Sequence, residues 1–439
     1  MLQNKIEQFI EKLDKATKNK SIKVISHFDT DGITSATIMA RALERWNKRF
    51  SLCITKGLDQ EFINKLSEEN VLLFLDLASG SLNYLKDKKT EVFILDHHEV
   101  IQEIPSNILI VNPSVEKQEP ISSAGLCYLF AKSLAKTNID LATLAVIGMV
   151  GDMLEKNLGK TYDSILKDSE TFVKKGLLIY PSTRPLDKAL EYSSNPFIPG
   201  VSGSYKGVIE LLKEANIDKK DGKFKSLSEL TEEEMSALIT AVMLKRMHLA
   251  EHDNLVGNLY LVKFFNKLED ARELSALINA CSRMDYPSIA LGFCLGNKES
   301  KASAEKIYIE YKQHLISALK FVNETQKISG KKYTIINAQD NIKDTIIGTV
   351  TSIISNSPLY ERGTIIIGLA YNQDKIKVSA RIAGRSGENV REILNRVVVP
   401  LGGEVGGHPQ AAGCLISKDQ EALFIEELKK VLEVEKVNL

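Results

Sequence analysis

This chain of 439 residues lacks paired cysteines, an excess of either charge and a long apolar run. Its five cysteines, Cys53, Cys127, Cys281, Cys294 and Cys414, occur without CxxC spacing. That excludes a thiolate zinc site of the usual spacing and argues against a disulfide framework; reduced, buried thiols of a cytosolic protein are the expectation. Lysine and arginine total 57, as do aspartate and glutamate. No global basic field draws in nucleic acid, so any polyanion-binding surface has to be local. No apolar stretch is long enough to span a bilayer. The opening "MLQNKIEQFIEKLDKATKNK" mixes acids and bases along a stripe of Ile6, Phe9, Ile10 and Leu13, where a signal peptide would carry an apolar segment. A soluble, cytoplasmic protein with no membrane partner is expected, and this length predicts two or three domains.

What is present changes character along the chain. "IKVIS" (22–26), "VLLFLDL" (71–77), "EVFILD" (91–96) and "ILIVN" (108–112) read as buried strands. They alternate with helical patterns such as "ITSATIMARALERW", "AGLCYLFAKSLAK" and "DLATLAVIGMVGDM", which implies an α/β fold with a mostly parallel sheet. Residues 156–328 turn polar and helical, with an acidic first turn after Thr231 and a long connecting helix over 303–325. From 329 the strand signal returns in "KKYTIINA", "TIIIGLAY" and "KIKVSARIA". Three parts follow: 1–155, a helical insertion with connector at 156–328, and a smaller α/β domain at 329–439.

The polar residues concentrate at strand ends. His27, Asp29 and Asp31 follow the first strand, Asp76 closes the second, and Asp96, His97 and His98 close the third. Asp152 ends an apolar helix. In an open parallel sheet, ligands bind beyond the carboxyl ends of the strands. So many carboxylates together repel unless some protonate or a cation intervenes. Mixed Asp and His ligands suit Mn²⁺ or Mg²⁺, and their number suits a pair of ions of the kind that clamps a phosphoryl displacement. Singly, each residue has a plainer role: Asp76 as a turn former, "FDTDG" as an acidic turn before a helix, the paired histidines as hydrogen-bonded core. Concentration favours the site, since three of only seven histidines fall beside strand-end carboxylates. Near the C-terminus, Gly406 and Gly407 immediately precede His408 in "GGEVGGHPQAAG". Their amides can approach an anion closely, and Arg381 can bind phosphate bidentately; a plain turn before a strand is the alternative. Residues 375–396 carry six basic residues against two acids, although Arg391 and Arg396 read equally well as a solvated helix face.

This ordered set resembles the DHH phosphoesterase superfamily, named for the triplet that stands here as Asp96, His97 and His98. "HFDTDG" (27–32) resembles its HxDxDG element, "LFLDL" (73–77) supplies the isolated Asp and "GMVGDM" (148–153) the GD element. "GGEVGGHPQAAG" resembles the GGGH-type motif of the DHHA1 domain. Within the superfamily the chain is most similar to the archaeal RecJ-like nucleases, including those associated with the GINS replication complex, on "TRPLDKALEYSSNPFIPGVSG" (183–203) and the insertion. The resemblance implies a DHH catalytic domain at 1–155 and a DHHA1-like substrate-binding domain at 329–439. It places His27 and Asp29 on one metal, Asp31, His97 and Asp152 on the other, and Asp76 between them. Asp96 would orient an imidazole, and His98 would face the scissile phosphate as donor or general acid. Arg381, Gly406, Gly407 and His408 would hold substrate. The implied activity is a two-metal, Mn²⁺-favouring (Mg²⁺ possible) exonuclease on single-stranded DNA or RNA, with DNA and 5′-to-3′ polarity favoured, in replication or repair. Its alternatives are a phosphoesterase for nano-RNA or nucleotide bisphosphates and a replisome scaffold binding GINS.

Overall fold

A computed structural model of the chain describes residues 2–100, 102–156, 158–193, 196–247, 255–357, 359–385 and 387–433. They form two compact units, Met1–Ile307 and Tyr308–Leu439.

The first unit begins with α1 (Leu2–Ala16), β1 (Ile22–His27), α2 (Thr30–Arg45), β2 (Phe50–Thr55), α3 (Gln60–Asn64), β3 (Val71–Leu75), α4 (Leu82–Leu85), β4 (Val92–Leu95), β5 (Ile108–Val111), α5 (Ser123–Leu134) and α6 (Ala142–Gly151). The five strands are parallel, in the order β2-β1-β3-β4-β5. β3 and β4 are apolar throughout because helices cover both faces of the sheet. On one face Phe93 meets Phe9 of α1 edge-on at 5.2 Å, and Phe9 meets Phe130 of α5 at 6.0 Å. On the other, Phe74 and Ile94 pack with Ile63, Leu82 and Leu85 of α3 and α4. β1 has β2 on one side and β3 on the other, so the strand order reverses there. The crevice beyond β1 and β3 is the place where this order of strands receives ligands. β2 is absent from the sequence reading because it is a half-exposed edge strand without a continuous apolar run.

Residues 156–328 depart from the purely helical expectation. They contain α7 (Lys160–Asp168), β6 (Phe172–Leu177), α8 (Leu186–Glu191), α9 (Tyr205–Glu214), α10 (Glu232–Lys245), β7 (Val256–Phe264), β8 (Lys267–Asp270), α11 (Ala271–Arg283), α12 (Pro287–Cys294) and α13 (Lys298–Glu324). β6, β7 and β8 form an antiparallel sheet with its own core, including Leu177, Leu190, Leu211, Leu238 and Leu259. β6 reads "FVKKGL" and is exposed over its first half; its paired lysines erase the apolar run by which a strand is recognised. Two expectations hold here. Thr231 caps α10, with Glu234 closing a capping box, and α13 is a single 27-residue helix.

The second unit holds β9 (Ile328–Ser329), β10 (Tyr333–Asn337), α14 (Asp344–Ser355), β11 (Ile365–Asn372), β12 (Lys375–Ile382), α15 (Val390–Val398), β13 (Val405–His408), β14 (Ala411–Ser417) and α16 (Glu421–Glu433). Its sheet runs β13-β14-β12-β11-β10-β9, parallel between β10 and β11 and antiparallel elsewhere. Among the described residues, no helix is long and apolar enough to cross a membrane.

Candidate metal centre

β1 ends in His27, and the chain turns directly into α2. Asp29 caps that helix: its Oδ1 accepts the N–H of Gly32 at 3.0 Å, leaving Oδ2 at 2.9 Å from His27 Nδ1. A side chain at Gly32 would put its first carbon 2.2 Å from the His27 carbonyl oxygen, so the tight strand-to-helix turn requires glycine. Asp31 lies inside the first turn of α2, fully buried. Its two oxygens accept the first N–H groups of α5, from Ser123 at 2.7 Å and Ala124 at 3.0 Å, donors that a helix start leaves over.

Asp76 follows β3 with φ at 59°, a left-handed conformation that Asp adopts more readily than most residues. Its N–H donates to Leu95. Both carboxylate oxygens are buried without a hydrogen-bond partner. They stand 3.5 Å from His27 Nδ1 and 3.4 Å from His97 Nε2. β4 delivers the triplet. Asp96 accepts N–H bonds from Ser79, His97 and His98 and contacts His98 Nδ1 at 2.8 Å. Its oxygens are therefore committed to holding the turn and the His98 ring. His97 points Nε2 at Asp152 (2.9 Å), Asp76 and Asp31 (3.9 Å). Asp152 caps the C-terminus of α6. Gly148, one turn earlier, is required because a side-chain carbon there would lie 2.5 Å from Asp31 Oδ1 and 2.6 Å from the Ala124 methyl.

The electrostatics are those of crowded carboxylates. Burial, then Asp76 and Asp152, drive the Asp31 pKa well above the usual carboxylate range. Burial pushes Asp152 up to about 6, with His97 opposing. Burial would lower the imidazoles of His27 and His97, but Asp29 and Asp76 for the first, and Asp152 and Asp76 for the second, hold both well above their ordinary value. Asp29 and Asp96 go the other way. Burial raises each, but His27 with the Gly32 amide holds Asp29 below its ordinary value, and His98 with Ser79 does the same for Asp96.

Among the described residues two sets of ligand atoms meet the spacing of a metal site, His27, Asp29 and Asp76, and Asp31, Asp76, His97 and Asp152, and a third, Asp76, His97 and His98, overlaps the second; the atoms of each set lie within 4.8 Å of one another. Asp76 belongs to all three. Buried polar atoms without hydrogen bonds are uncommon, yet His27 Nδ1, His97 Nε2 and both Asp76 oxygens are such atoms. Close approach without hydrogen-bond alignment, in an oxygen and imidazole donor set, fits divalent cations such as Mn²⁺ or Mg²⁺.

The match to known domains is collinear with these motifs. Residues 21–149 match the DHH family N-terminal domain, 179–259 the DHH-CID domain and 330–434 the DHHA1 domain. An uncharacterised protein of Methanocaldococcus jannaschii is 30% identical over 454 aligned residues, covering 96% of this chain and 97% of that protein. The chain belongs to the DHH family. The single-stranded-DNA-specific exonuclease RecJ of Bacillus subtilis is 23% identical over 154 residues, 31% of the DHH chain and 20% of that protein. Among solved structures, RecJ of Thermus thermophilus in complex with Mn²⁺ shares the fold at a TM-score of 0.60 and 17% identity, covering 99% of this chain and 55% of that one. The DHH chain thus spans about half the length of the Thermus protein. CDC45 of Entamoeba histolytica shares the fold at a TM-score of 0.67 and 13% identity, covering 98% and 99%.

The other sequence-predicted residues of this DHH protein lie in the second unit. The glycines of "GGEVGGHPQAAG" form no loop around His408. Gly406, Gly407 and His408 are in edge strand β13, which turns through Pro409 and Gln410 into β14. With two adjacent glycines and an exposed histidine, β13 carries no apolar signal of a strand. Register pairs His408 with Ala411 and Ala411 with Arg381, placing the histidine and the arginine on one face, two strands apart. Arg381 donates from Nε to Ser352 Oγ at 2.9 Å. Sequence reasoning missed the supports of the metal centre. Asn112 donates to the His98 carbonyl at 2.8 Å and to Ser79 at 3.2 Å. The amides of Ser123 and Ala124 had a signal, since Ser122 before a small, apolar helix is an N-cap pattern.

Proposed function

We propose that this DHH-family chain is a metal-dependent phosphodiesterase that degrades single-stranded nucleic acid from an end, with DNA and 5′-to-3′ polarity favoured, in replication or repair. The observation that carries the reading is the unsatisfied pair of Asp76 oxygens between two imidazoles. Two divalent cations bound there, Mn²⁺ favoured and Mg²⁺ possible, would neutralise the carboxylates and ease the deprotonation of an attacking water.

The chain's own residues have separable roles in this reading. His27 and Asp29 hold one cation, Asp31, His97 and Asp152 the other, and Asp76 serves both. His98 is the more exposed imidazole, at 44% of its side chain against 17% for His97. Burial lowers its pKa, but the hydrogen bond and charge of Asp96, together with the charge of Asp76, raise it above the ordinary value. Its exposed ring is placed to donate a proton to a phosphate oxygen or a departing sugar oxygen. Asp96 keeps that ring in place. Arg381, whose guanidinium is held by Ser352 and the Ala380 carbonyl, and Gly406, Gly407 and His408 are proposed to hold the nucleic-acid backbone.

The test is time-resolved digestion of 5′- and 3′-labelled DNA and RNA 20-mers and of a dinucleotide, with Mn²⁺, with Mg²⁺ and with EDTA. Stepwise shortening of the 20-mer from its 5′ end in Mn²⁺ is expected. Cleavage of the dinucleotide alone would replace the exonuclease with a phosphoesterase for nano-RNA or nucleotide bisphosphates. A scaffold role beside the enzymatic one has support in the full-length likeness to the CDC45 fold. It predicts capture of this chain by the GINS complex irrespective of an Asp76→Asn substitution. Unimpaired ligand positions speak against scaffolding as the sole function.

A further inference from the structure

α11 lies between the matched domains, in residues that none of the three covers. Arg272, Ser275 and Asn279 share one helical face, at spacings of three and seven. All three reach segments that carry metal-site residues. Asn279 Oδ1 accepts the backbone N–H of Thr30 at 3.1 Å. The Ser275 carbonyl accepts the Thr30 hydroxyl at 2.9 Å, and the Ser275 hydroxyl lies 3.3 Å from the same oxygen. Arg272 pairs with Glu155, three residues beyond Asp152, with its guanidinium 4.7 Å from the Tyr180 ring centroid. Thr30 is buried and also abuts α6: a side-chain carbon at Gly151 would meet its Cβ at 2.8 Å. Thr30 stands between Asp29 and Asp31, so whatever fixes it fixes one residue of the set with His27 and one of the set with Asp152.

We infer that α11 is a strut of the metal centre and that Asn279 is its chief positioning residue, acting on the cations through Asp29; this rests on the metal-centre reading above. Thr30 opens α2, and its N–H is one of the donors that a helix start leaves over. A buried donor without a partner is strongly unfavourable. Asp29, the adjacent residue, is the acceptor at hand for such a donor, as Asp96 Oδ1 is for the N–H of the adjacent His97 at 2.8 Å. With Asn279 serving Thr30, the Asp29 carboxylate caps Gly32 through Oδ1 alone and keeps Oδ2 beside His27. Without Asn279, the carboxylate is drawn toward the orphaned amide and Oδ2 leaves the cation site. The insertion is thus part of the support of the metal centre through α11.

Mn²⁺ titration of the full chain without substrate tests this, by calorimetry and by electron paramagnetic resonance. Asn279→Leu, which keeps the branching at Cγ but removes the acceptor, is expected to weaken Mn²⁺ binding by about tenfold or more and to alter the resonance spectrum of the loaded protein. Asn279→Asp retains an acceptor oxygen and is expected to bind within about threefold of the wild type, or more tightly. Wild-type affinity and spectrum in Asn279→Leu overturn the inference, and so does an equal loss in both variants. Thr30→Val removes the hydroxyl link to Ser275 at constant shape and is expected to weaken Mn²⁺ binding by about threefold at an unchanged circular dichroism spectrum. It decides the matter if Asn279→Leu does not fold, with unchanged affinity counting against the strut. Failure of the wild type to bind Mn²⁺ is a distinct result, which removes the metal-centre reading and this inference with it.

Discussion

Asp76 concentrates the conflict within the site: its backbone is left-handed, its carboxylate is buried and neither oxygen is hydrogen-bonded. Such features destabilise the metal-free fold by about 1–3 kcal/mol each and persist where function requires them. Asp76→Asn is therefore expected to lower cleavage by at least about 100-fold while leaving the melting temperature of the metal-free protein unchanged or higher. A falling melting temperature would show that the carboxylate is structural. The two histidines of the triplet separate binding from chemistry. His97→Ala should abolish tight Mn²⁺ binding; His98→Ala should leave it within about threefold and reduce the turnover number. Where divalent cations bind as proposed, protons compete with them. His27, His97, Asp31 and Asp152 all have raised pKa values, Asp152 at about 6, so binding must displace protons and apparent Mn²⁺ affinity should fall steeply as pH drops through 6. Calorimetry in buffers of different ionisation enthalpy reads the protons released. The raised imidazole values also stabilise the metal-free protein most below the ordinary histidine value of about 6.5. That contribution is lost as pH rises through the folded-state values. Melting temperature of the metal-free chain should accordingly fall on going above neutrality, and Mn²⁺ should suppress the fall.

At the scale of elements, the α2, α5 and α6 packing sets the position of Asp31. Gly148→Ala pushes a methyl group against Asp31 and Ala124. It is expected to destabilise the first unit by about 1–3 kcal/mol and to weaken Mn²⁺ binding together with it, as read by thermal melts and titration. Which elements were legible follows from their burial. β1, β3, β4 and β5 carry near-continuous apolar runs because the sheet is covered on both faces, and the triplet at 96–98 is conspicuous because it interrupts such a run. β2, β6 and β13 lie at sheet edges and are partly exposed, so lysine, serine and glycine are admitted and the period is lost. The clustered carboxylates Asp29, Asp76 and Asp96 could be nominated from their place after strands. Asn279 and Asn112 could not, because nothing in their local sequence sets them apart from ordinary polar residues.

At the scale of the molecule, two units with separate cores need not unfold together. Calorimetry is expected to show two transitions, of which Mn²⁺ moves the one belonging to residues 1–307. At a hundredfold excess over the dissociation constant the added stability is about 2.7 kcal/mol, removable by EDTA. A single transition, or an equal shift of both, would contradict that independence. The amino-acid sequence alone determined the kinds of ligand, their delivery at strand ends and the alternation that builds a parallel sheet, because these are local properties of period and residue type. Only the tertiary structure decided that Asp76 faces both imidazoles, that Asp31 is held by the start of α5 and that α11 supports Thr30. Those relations join residues tens to hundreds of positions apart, and distance along the chain carries no information about which buried donor will find which acceptor.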